Sequence, residues 1–494
     1  MPPRLYTLCL EVLIPLVERI GDGQDFGHGT GPLDSVAGAL TDDLLLRAYH
    51  RASRCRSAGC WKDAWKTLLT PKSQSVVLSW DRSLLQFVKT RCQNTKKVLV
   101  SRWDSFEPES LSWLPSTVTC LDFDGELFYR GRLGPALDFP SDAGQRGWLP
   151  EAEAMLKALH AARQKQPGAA STGLTELHLG AVQVTATDIC TILRRVPTLQ
   201  MLRHYQLVTA LNLLHGEQWR HKEPLPKYRL RNLDVDFSHV VRCRMSPQAV
   251  LPPDVLQLAV LLCPEACLLH VRFDCSTSHD VLSPLTCMQH ALRLLSVVCV
   301  TSGERSRLTF DDVAPILEQH GADALRSLEL KVIEEVDVHV ILSTCPKLER
   351  LVLSGCGNVM PPTCPGYDCA VLRLRRLRFL FFADGDDFSW DHDVPPCFWR
   401  ATLAAGHGGR LEGLFLESPR IAPGTALKHL PGLEVLSLCR CPEVTLGDVV
   451  TVCGLDKASA RPPRYIRLSA CEGIGPREQR RLRAMLKGAH LAVN

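Results

Sequence analysis

Short apolar segments with an internal two-residue alternation recur along most of the chain. Their common pattern is Leu-x-x-Leu-x-Leu, in which the fourth and sixth positions alternate with polar residues, so that a short strand points both leucines to one side. Clear copies begin at Leu174, Leu230, Leu325, Leu348, Leu411 and Leu433. Weaker copies, with other apolar residues at some positions, begin at Val118, Ala266, Leu292, Leu377 and Pro463. The pattern predicts one buried strand in each copy.

The spacing of the copies indicates a leucine-rich-repeat array. Leu348 follows Leu325 by 23 residues and Leu433 follows Leu411 by 22, within the repeat period of about 20–29 residues. Helical segments are predicted between the strands at residues 313–317 and 338–342, and Pro346 follows the second because proline cannot continue a helix. We therefore expect an α/β fold, a leucine-rich-repeat solenoid (horseshoe) with insertions, over residues 106–475.

Cysteines follow two of the clear copies at a constant distance. Cys356 stands three residues after Leu353, and Cys441 stands three residues after Leu438. A small side chain there can be buried and can hydrogen-bond the loop backbone where the strand turns away. These repeats resemble the cysteine-containing leucine-rich repeats of ubiquitin-ligase substrate receptors, which implies a protein-binding scaffold.

The first hundred residues lack the repeat, and we expect residues 1–105 to form a helical module. One helical stripe is predicted to carry Leu5, Leu8, Cys9, Val12 and Leu13. A second helix is predicted from Thr41, a good N-cap that is followed by two acidic residues in the first turn. At the other end, residues 476–494 are predicted to form a C-terminal capping helix and tail.

The segment Leu5-x-x-x-Cys9-x-x-x-Leu13 resembles the BC box, by which receptors of cullin-type ligases bind the Elongin B/C adaptor. The segment Leu40-Thr41-x-x-Leu44 is similar to the downstream cullin box, with Thr41 in place of proline. The resemblance implies that the adaptor-binding residues are Leu5, Leu8, Cys9, Leu13, Leu40 and Leu44.

Two other interpretations of this module stay open. The first helix can instead cap the open end of the repeat core. The segment from Leu40 to Trp65 is also similar to an F-box, which implies a Skp-type adaptor. Our leading hypothesis is a non-enzymatic substrate-recognition subunit of a cullin-RING ubiquitin ligase. The alternatives are an F-box receptor and a repeat scaffold without a role in ubiquitination.

Composition narrows the class of protein further. Leucine makes up 78 of the 494 residues and 45% of the residues are hydrophobic, which excludes wholesale disorder. The net charge is only +4, far from the strongly basic balance of a dedicated nucleic-acid binder. Apolar runs of 18 residues are absent, so we expect no membrane span. The 21 cysteines and the lack of a signal peptide favour free thiols in the cytosol or nucleus.

The motifs do not indicate catalysis, a metal or a cofactor. The sequence has no phosphate-binding loop, nucleophile elbow or His-Glu-x-x-His motif. Its close cysteine pairs, such as Cys364 and Cys369, lack the two-residue spacing of a zinc knuckle. We therefore expect a protein that is not an enzyme.

One acidic segment interrupts the repeat rhythm and carries aromatic residues. We interpret it as a partner-binding loop, because exposed aromatic side chains are typical anchors in interfaces; the plainer interpretation is a solvated acidic loop. The residues concerned are Asp384, Asp386, Asp387, Phe388 and Trp390.

Overall fold

The computed structural model divides the chain into two compact units, which we describe separately. The first comprises Met1–Arg132 and Pro140–Leu214, and the second comprises Leu133–Phe139 and His215–Asn494. The structure describes residues 69, 73–79, 88, 90–101, 117–122, 173–179, 184–236, 253–273, 279–299, 308–322, 324–356, 374, 376–383, 411–417, 430, 432–441, 444–455, 463, 465–486 and 490–493.

The first unit contains a five-stranded parallel sheet whose strands follow one another in chain order. The strands are β1 (Ser75–Ser79), β2 (Lys97–Ser101), β3 (Cys120–Asp122), β4 (Glu176–His178) and β5 (Met201–Arg203). Helix α1 (Ala186–Arg195) connects β4 to β5, and α2 (Leu207–Arg220) follows β5 and contains the division between the units.

This sheet begins earlier than the boundary that we placed at residue 105, because β1 and β2 both precede it. Their repeats are hard to recognise, since the first leucine position is taken by Ser73 and Thr95. Both residues are fully buried, and the Thr95 hydroxyl donates to the carbonyl of Cys92 at 2.8 Å. Hydrogen bonding inside the turn therefore replaces the apolar contact that a leucine would make.

The second unit contains ten parallel strands, again in chain order. The strands are β6 (Asn232–Asp236), β7 (Leu268–Phe273), β8 (Leu294–Cys299), β9 (Ser327–Lys331), β10 (Arg350–Ser354), β11 (Phe379–Ala383), β12 (Gly413–Glu417), β13 (Val435–Cys439), β14 (Tyr465–Ser469) and β15 (His490–Val493). Among its described residues, the helices are α3 (Pro253–Leu262), α4 (Phe310–His320), α5 (Val338–Thr344), α6 (Leu446–Cys453) and α7 (Pro476–Met485), with a 3₁₀ helix at His279–Cys287.

The register of the ten strands aligns the predicted leucines in two continuous rows. The first row is Leu233, Leu269, Leu295, Leu328, Leu351, Leu380, Leu414, Leu436, Ile466 and Leu491. The second is Val235, Val271, Val297, Leu330, Leu353, Phe382, Leu416, Leu438, Leu468 and Val493. From β6 to β14 every member is at most 2% exposed. The strand prediction is confirmed, and the ladder is that of a leucine-rich-repeat-like array.

The predicted burial of Cys356 and Cys441 and their bonding to the backbone at the strand end are confirmed. Contacts to the preceding strand, which were not predicted, accompany them, and Cys471 is a third copy. The thiols of Cys356, Cys441 and Cys471 donate to the carbonyls of Leu330, Leu416 and Leu438 at 3.4, 3.6 and 3.5 Å. Each acceptor belongs to the second core row of the preceding strand, so each thiol joins two repeats. The residue before each cysteine has a positive φ, at Gly355, Arg440 and Ala470. This left-handed backbone conformation turns the chain away from the strand.

Local sequence also fixes where the helices begin. A Thr-x-x-Asp capping box starts α1, α4 and α6, with the threonine amide donating to the aspartate carboxylate at 2.9 Å each time. Asp337 accepts from the first amides of α5, and α5 ends at Thr344 before Pro346, as the sequence predicts.

Within the part of the chain that the structure describes, no helix has the length and apolar character to cross a membrane.

The C-terminal segment contains the predicted helix α7 and an additional strand. Leu482 of α7 and Leu486, which follows the helix, are buried, whereas Met485 is 42% exposed. Beyond the helix, β15 pairs with β14, so that Leu491 lies opposite Ile466. The ladder therefore continues past the boundary at residue 475.

Replacing a core leucine should test the register. Leu351 is fully buried between Leu328 and Leu380 of the flanking strands, so Leu351→Asp places a charge inside the core. We expect the free energy of unfolding to fall by about 3–5 kcal/mol, measured by chemical denaturation. Ser354→Asp is the control, because this partly exposed position lies on the same strand. Equal stability of the two variants would show that the register is wrong.

Candidate functional site

The ten-stranded sheet presents a second face, because side chains alternate along each strand. We call the side opposite the buried rows the strand face. Its central row carries the residues between the two core positions: Asp234, His270, Ser296, Glu329, Val352, Phe381, Phe415, Ser437 and Arg467. The row is polar at β6–β9, apolar at β10–β12 and polar again at β13–β14.

Three aromatic rings form the apolar centre of the strand face, which we call the aromatic patch: Phe379, Phe381 and Phe415. The rings of Phe381 and Phe415 lie 6.2 Å apart between centroids, tilted by 31°. Phe415 is 3% exposed, whereas Phe379 and Phe381 are half-buried.

A glycine forms the floor of the aromatic patch. A Cβ atom at Gly413 would stand 2.7 Å from Cδ1 of Phe379 and 2.9 Å from Cε2 of Phe415, which is closer than carbon atoms approach without displacement. Because Gly413 has no side chain, both rings can lie directly over the β12 backbone.

A charged pair borders the patch at the start of β11 and β12. Nε and Nη2 of Arg378 donate to Oε1 and Oε2 of Glu412 at 2.8 and 2.7 Å, and this bidentate hydrogen bond raises the pKa of Arg378. The guanidinium of Arg378 also lies 5.7 Å from the centroid of the Phe379 ring, a cation–π distance. Arg378 is thus oriented at the edge of the aromatic patch.

The polar end of the strand face is organised around Glu329. Its carboxylate accepts from the Ser296 hydroxyl at 3.1 Å and from Nζ of Lys331 at 3.1 Å. On β6, the Asn232 side chain donates to the Asp234 carboxylate at 3.3 Å. The bond between Ser296 and Glu329 links neighbouring strands, and the other two bonds each link residues of one strand.

Beyond the patch, β13 and β14 carry charged and thiol groups. Arg440 pairs with Glu417 at 2.8 Å. Burial raises the pKa of the Cys439 thiol, and the nearby Arg467 partly offsets this. In the turns that follow β13 and β14, the thiols of Cys441 and Cys471 share a hydrogen bond. This bond raises the pKa of the Cys441 thiol and lowers that of the Cys471 thiol. The Cys356 thiol has a pKa raised to about 11 by burial.

The residues that the sequence predicted for function lie outside the described residues. These are the adaptor-binding set Leu5, Leu8, Cys9, Leu13, Leu40 and Leu44, and the loop set Asp384, Asp386, Asp387, Phe388 and Trp390. The loop segment follows Ala383 directly, at the end of the strand that carries Phe379 and Phe381.

Sequence reasoning missed the aromatic patch itself. Its signal was present in the two copies that begin at Leu377 and Leu411, where phenylalanine replaces the polar residue between the core positions. Alternation alone assigned those positions to the solvent side, and only the pairing of β11 with β12 places Phe381 opposite Phe415.

Comparisons with known proteins give matches among solved structures. No protein-family model matches the sequence, and no curated protein is similar to it. Among the solved structures that match is a chain in the crystal structure of the Rad7 and Elc1 complex in yeast, with 16% sequence identity, a TM-score of 0.40 and coverage of 68% of this chain and 79% of that chain. A TM-score at this level is no basis for assigning a shared function.

The floor of the aromatic patch can be tested with a single methyl group. Gly413→Ala should push the rings of Phe379 and Phe415 apart and lower the free energy of unfolding by about 1–3 kcal/mol, as measured by urea denaturation. Gly447→Ala is the matched control, because its Cβ would meet only the Thr445 hydroxyl at 3.5 Å. If both variants were as stable as the wild type, the rings would not rest on Gly413.

Proposed function

We propose that this protein is a non-enzymatic substrate-recognition subunit of a cullin-RING ubiquitin ligase. In this proposal the strand face binds the target protein, and the N-terminal helices bind an Elongin B/C-type adaptor and the cullin. The observation that carries the binding role is the aromatic patch at the centre of the strand face, with charged groups on both sides. The proposed role places the protein in the cytosol or the nucleus.

The composition of the strand face suits a protein partner. Interfaces are enriched in aromatic residues and arginine at their centre and have a polar rim, and a few desolvated anchors supply most of the binding energy. Phe381 is the central anchor of the proposal, because it is half-buried and its position is fixed by Phe415. Arg378 and Glu329, each held by its own ion pair, supply the charged rim.

The adaptor half of the proposal rests on the sequence. Leu5 and Cys9 are one helical turn apart, so both side chains face the same way on the predicted helix and can enter one groove. Burial of the leucine is worth about 1.5–3 kcal/mol, and the small cysteine permits close approach. A repeat scaffold without a role in ubiquitination is the second candidate, favoured by Arg4 and Thr41, which depart from the BC-box and cullin-box patterns.

The adaptor contact is tested by the double variant Leu5→Ala, Cys9→Phe in the full-length chain. We expect it to abolish co-purification of Elongin B/C and of the cullin, because it removes the buried leucine and blocks the groove. Leu10→Ala is the control, since residue 10 lies off the predicted stripe. Recovery of a Skp-type adaptor with the wild type would support the F-box alternative instead. Recovery of neither adaptor would refute the ubiquitin-ligase role.

The target-binding surface is tested by Phe381→Glu. We expect the target protein to bind at least about thirtyfold more weakly, since loss of a central anchor costs about 2 kcal/mol or more, while Elongin B/C still co-purifies. Met485→Glu is the matched control, because this apolar side chain is 42% exposed on α7, away from the strand face. Target affinity would be measured by titration calorimetry, and unchanged affinity in Phe381→Glu would contradict the proposed surface.

A further inference from the structure

Three side chains with metal-ligating atoms meet on the five-stranded sheet. Cys120 of β3 and Glu176 and His178 of β4 offer a thiol, a carboxylate and an imidazole whose ligand atoms all lie within 4.8 Å of one another. Cys120 is 2% exposed and His178 is 1% exposed, whereas Glu176 is partly exposed. Cys120 precedes Glu176 by 56 residues and His178 by 58, so cysteine or histidine spacing could not indicate the cluster.

The strand register holds the cluster in place. Cys120 lies opposite Glu176, and Asp122 lies opposite His178, in the parallel pairing of β3 with β4. Glu176 and His178 are two residues apart on one strand and therefore point to the same side. The core residues between them, Leu121 and Leu177, point the other way and are at most 2% exposed.

The donor set has the chemistry of a zinc site. Thiolate, imidazole and carboxylate are the three protein ligands that Zn²⁺ takes, at about 2.0–2.3 Å, and atoms that already lie within 4.8 Å of one another need only small side-chain rotations to reach those lengths. The carboxylate of Asp122, which is 1% exposed, brings a further negative charge to the same face. Lys97, opposite Cys120 on β2, and Arg203, opposite His178 on β5, flank the cluster.

We propose that Cys120, Glu176 and His178 bind a zinc ion, with Asp122, opposite His178 on β3, positioned to orient the imidazole ring. Three protein ligands leave a fourth coordination position for water. The site lies where the chain leaves the sheet after β3 and returns at β4 only after residues 123–175. Zinc would therefore tie the two strands together at the longest insertion of this sheet and would stabilise that junction. This proposal is independent of the proposed function.

Cobalt(II) provides the test, because a cobalt–thiolate bond has a near-ultraviolet charge-transfer band that carboxylate and imidazole ligands do not produce. The full-length protein is stripped with a chelator under reducing conditions and titrated with Co²⁺, which Zn²⁺ then displaces. We expect one equivalent with a thiolate band in the wild type. Cys120→Ser should lose that equivalent and its band, while the control Cys190→Ser, which changes a buried cysteine of α1, should keep both.

Glu176→Gln keeps the outcome interpretable if Cys120→Ser does not fold. This isosteric change at a partly exposed position should retain the fold by circular dichroism. It should weaken zinc affinity by at least about tenfold, because altering even a group that only orients a metal ligand costs about 10–100-fold; the affinity is measured by competition with a chromophoric chelator. A wild-type protein without the thiolate band would overturn the proposal. The same conclusion follows if the band is unchanged in a folded Cys120→Ser variant, or if zinc affinity is unchanged in Glu176→Gln.

Discussion

The parallel hydrogen-bonded ladder of the second unit fixes the side of the sheet to which every strand residue points. Because side chains alternate along a strand, a shift of one residue would turn the leucines outward and the polar residues inward. The two buried rows, which run without interruption from Leu233 to Leu468, make such a shift very costly. The thiols of Cys356, Cys441 and Cys471 reinforce the register, since each donates to a carbonyl of the preceding strand.

The strand face is a consequence of that constraint. Once the leucines occupy one side, neighbouring repeats bring their intervening residues together on the other, and three phenylalanines on two adjacent strands form the aromatic patch. The same principle operates in the five-stranded sheet, where Cys120 meets Glu176 and His178 on the side opposite the core. In both sheets the groups with functional chemistry come from different repeats, and the ladder alone makes them neighbours.

This explains how far the sequence could predict the structure. Copies with leucine at all three positions were predictable, because the pattern is local to one strand. Strands β1 and β2 were not recognised because Ser73 and Thr95 occupy the first leucine position, where the buried Thr95 hydroxyl donates to the carbonyls of Ser73 and Cys92. Strand β5 was not recognised because His204 occupies its third core position. The aromatic patch and the Cys120 cluster depend on which strands pair across insertions of unequal length. The sequence of one repeat does not contain that information.

The central claim is that the strand face is where this protein contacts its target, and site-specific photo-cross-linking in cells tests it most directly. A photoreactive phenylalanine analogue replaces Phe381 in one sample and Ser343, an exposed residue of α5, in another. Both proteins should fold, since neither position belongs to the buried rows. The account predicts a discrete cross-linked partner from position 381 and none from position 343. A partner captured at position 343 but not at position 381 would contradict it.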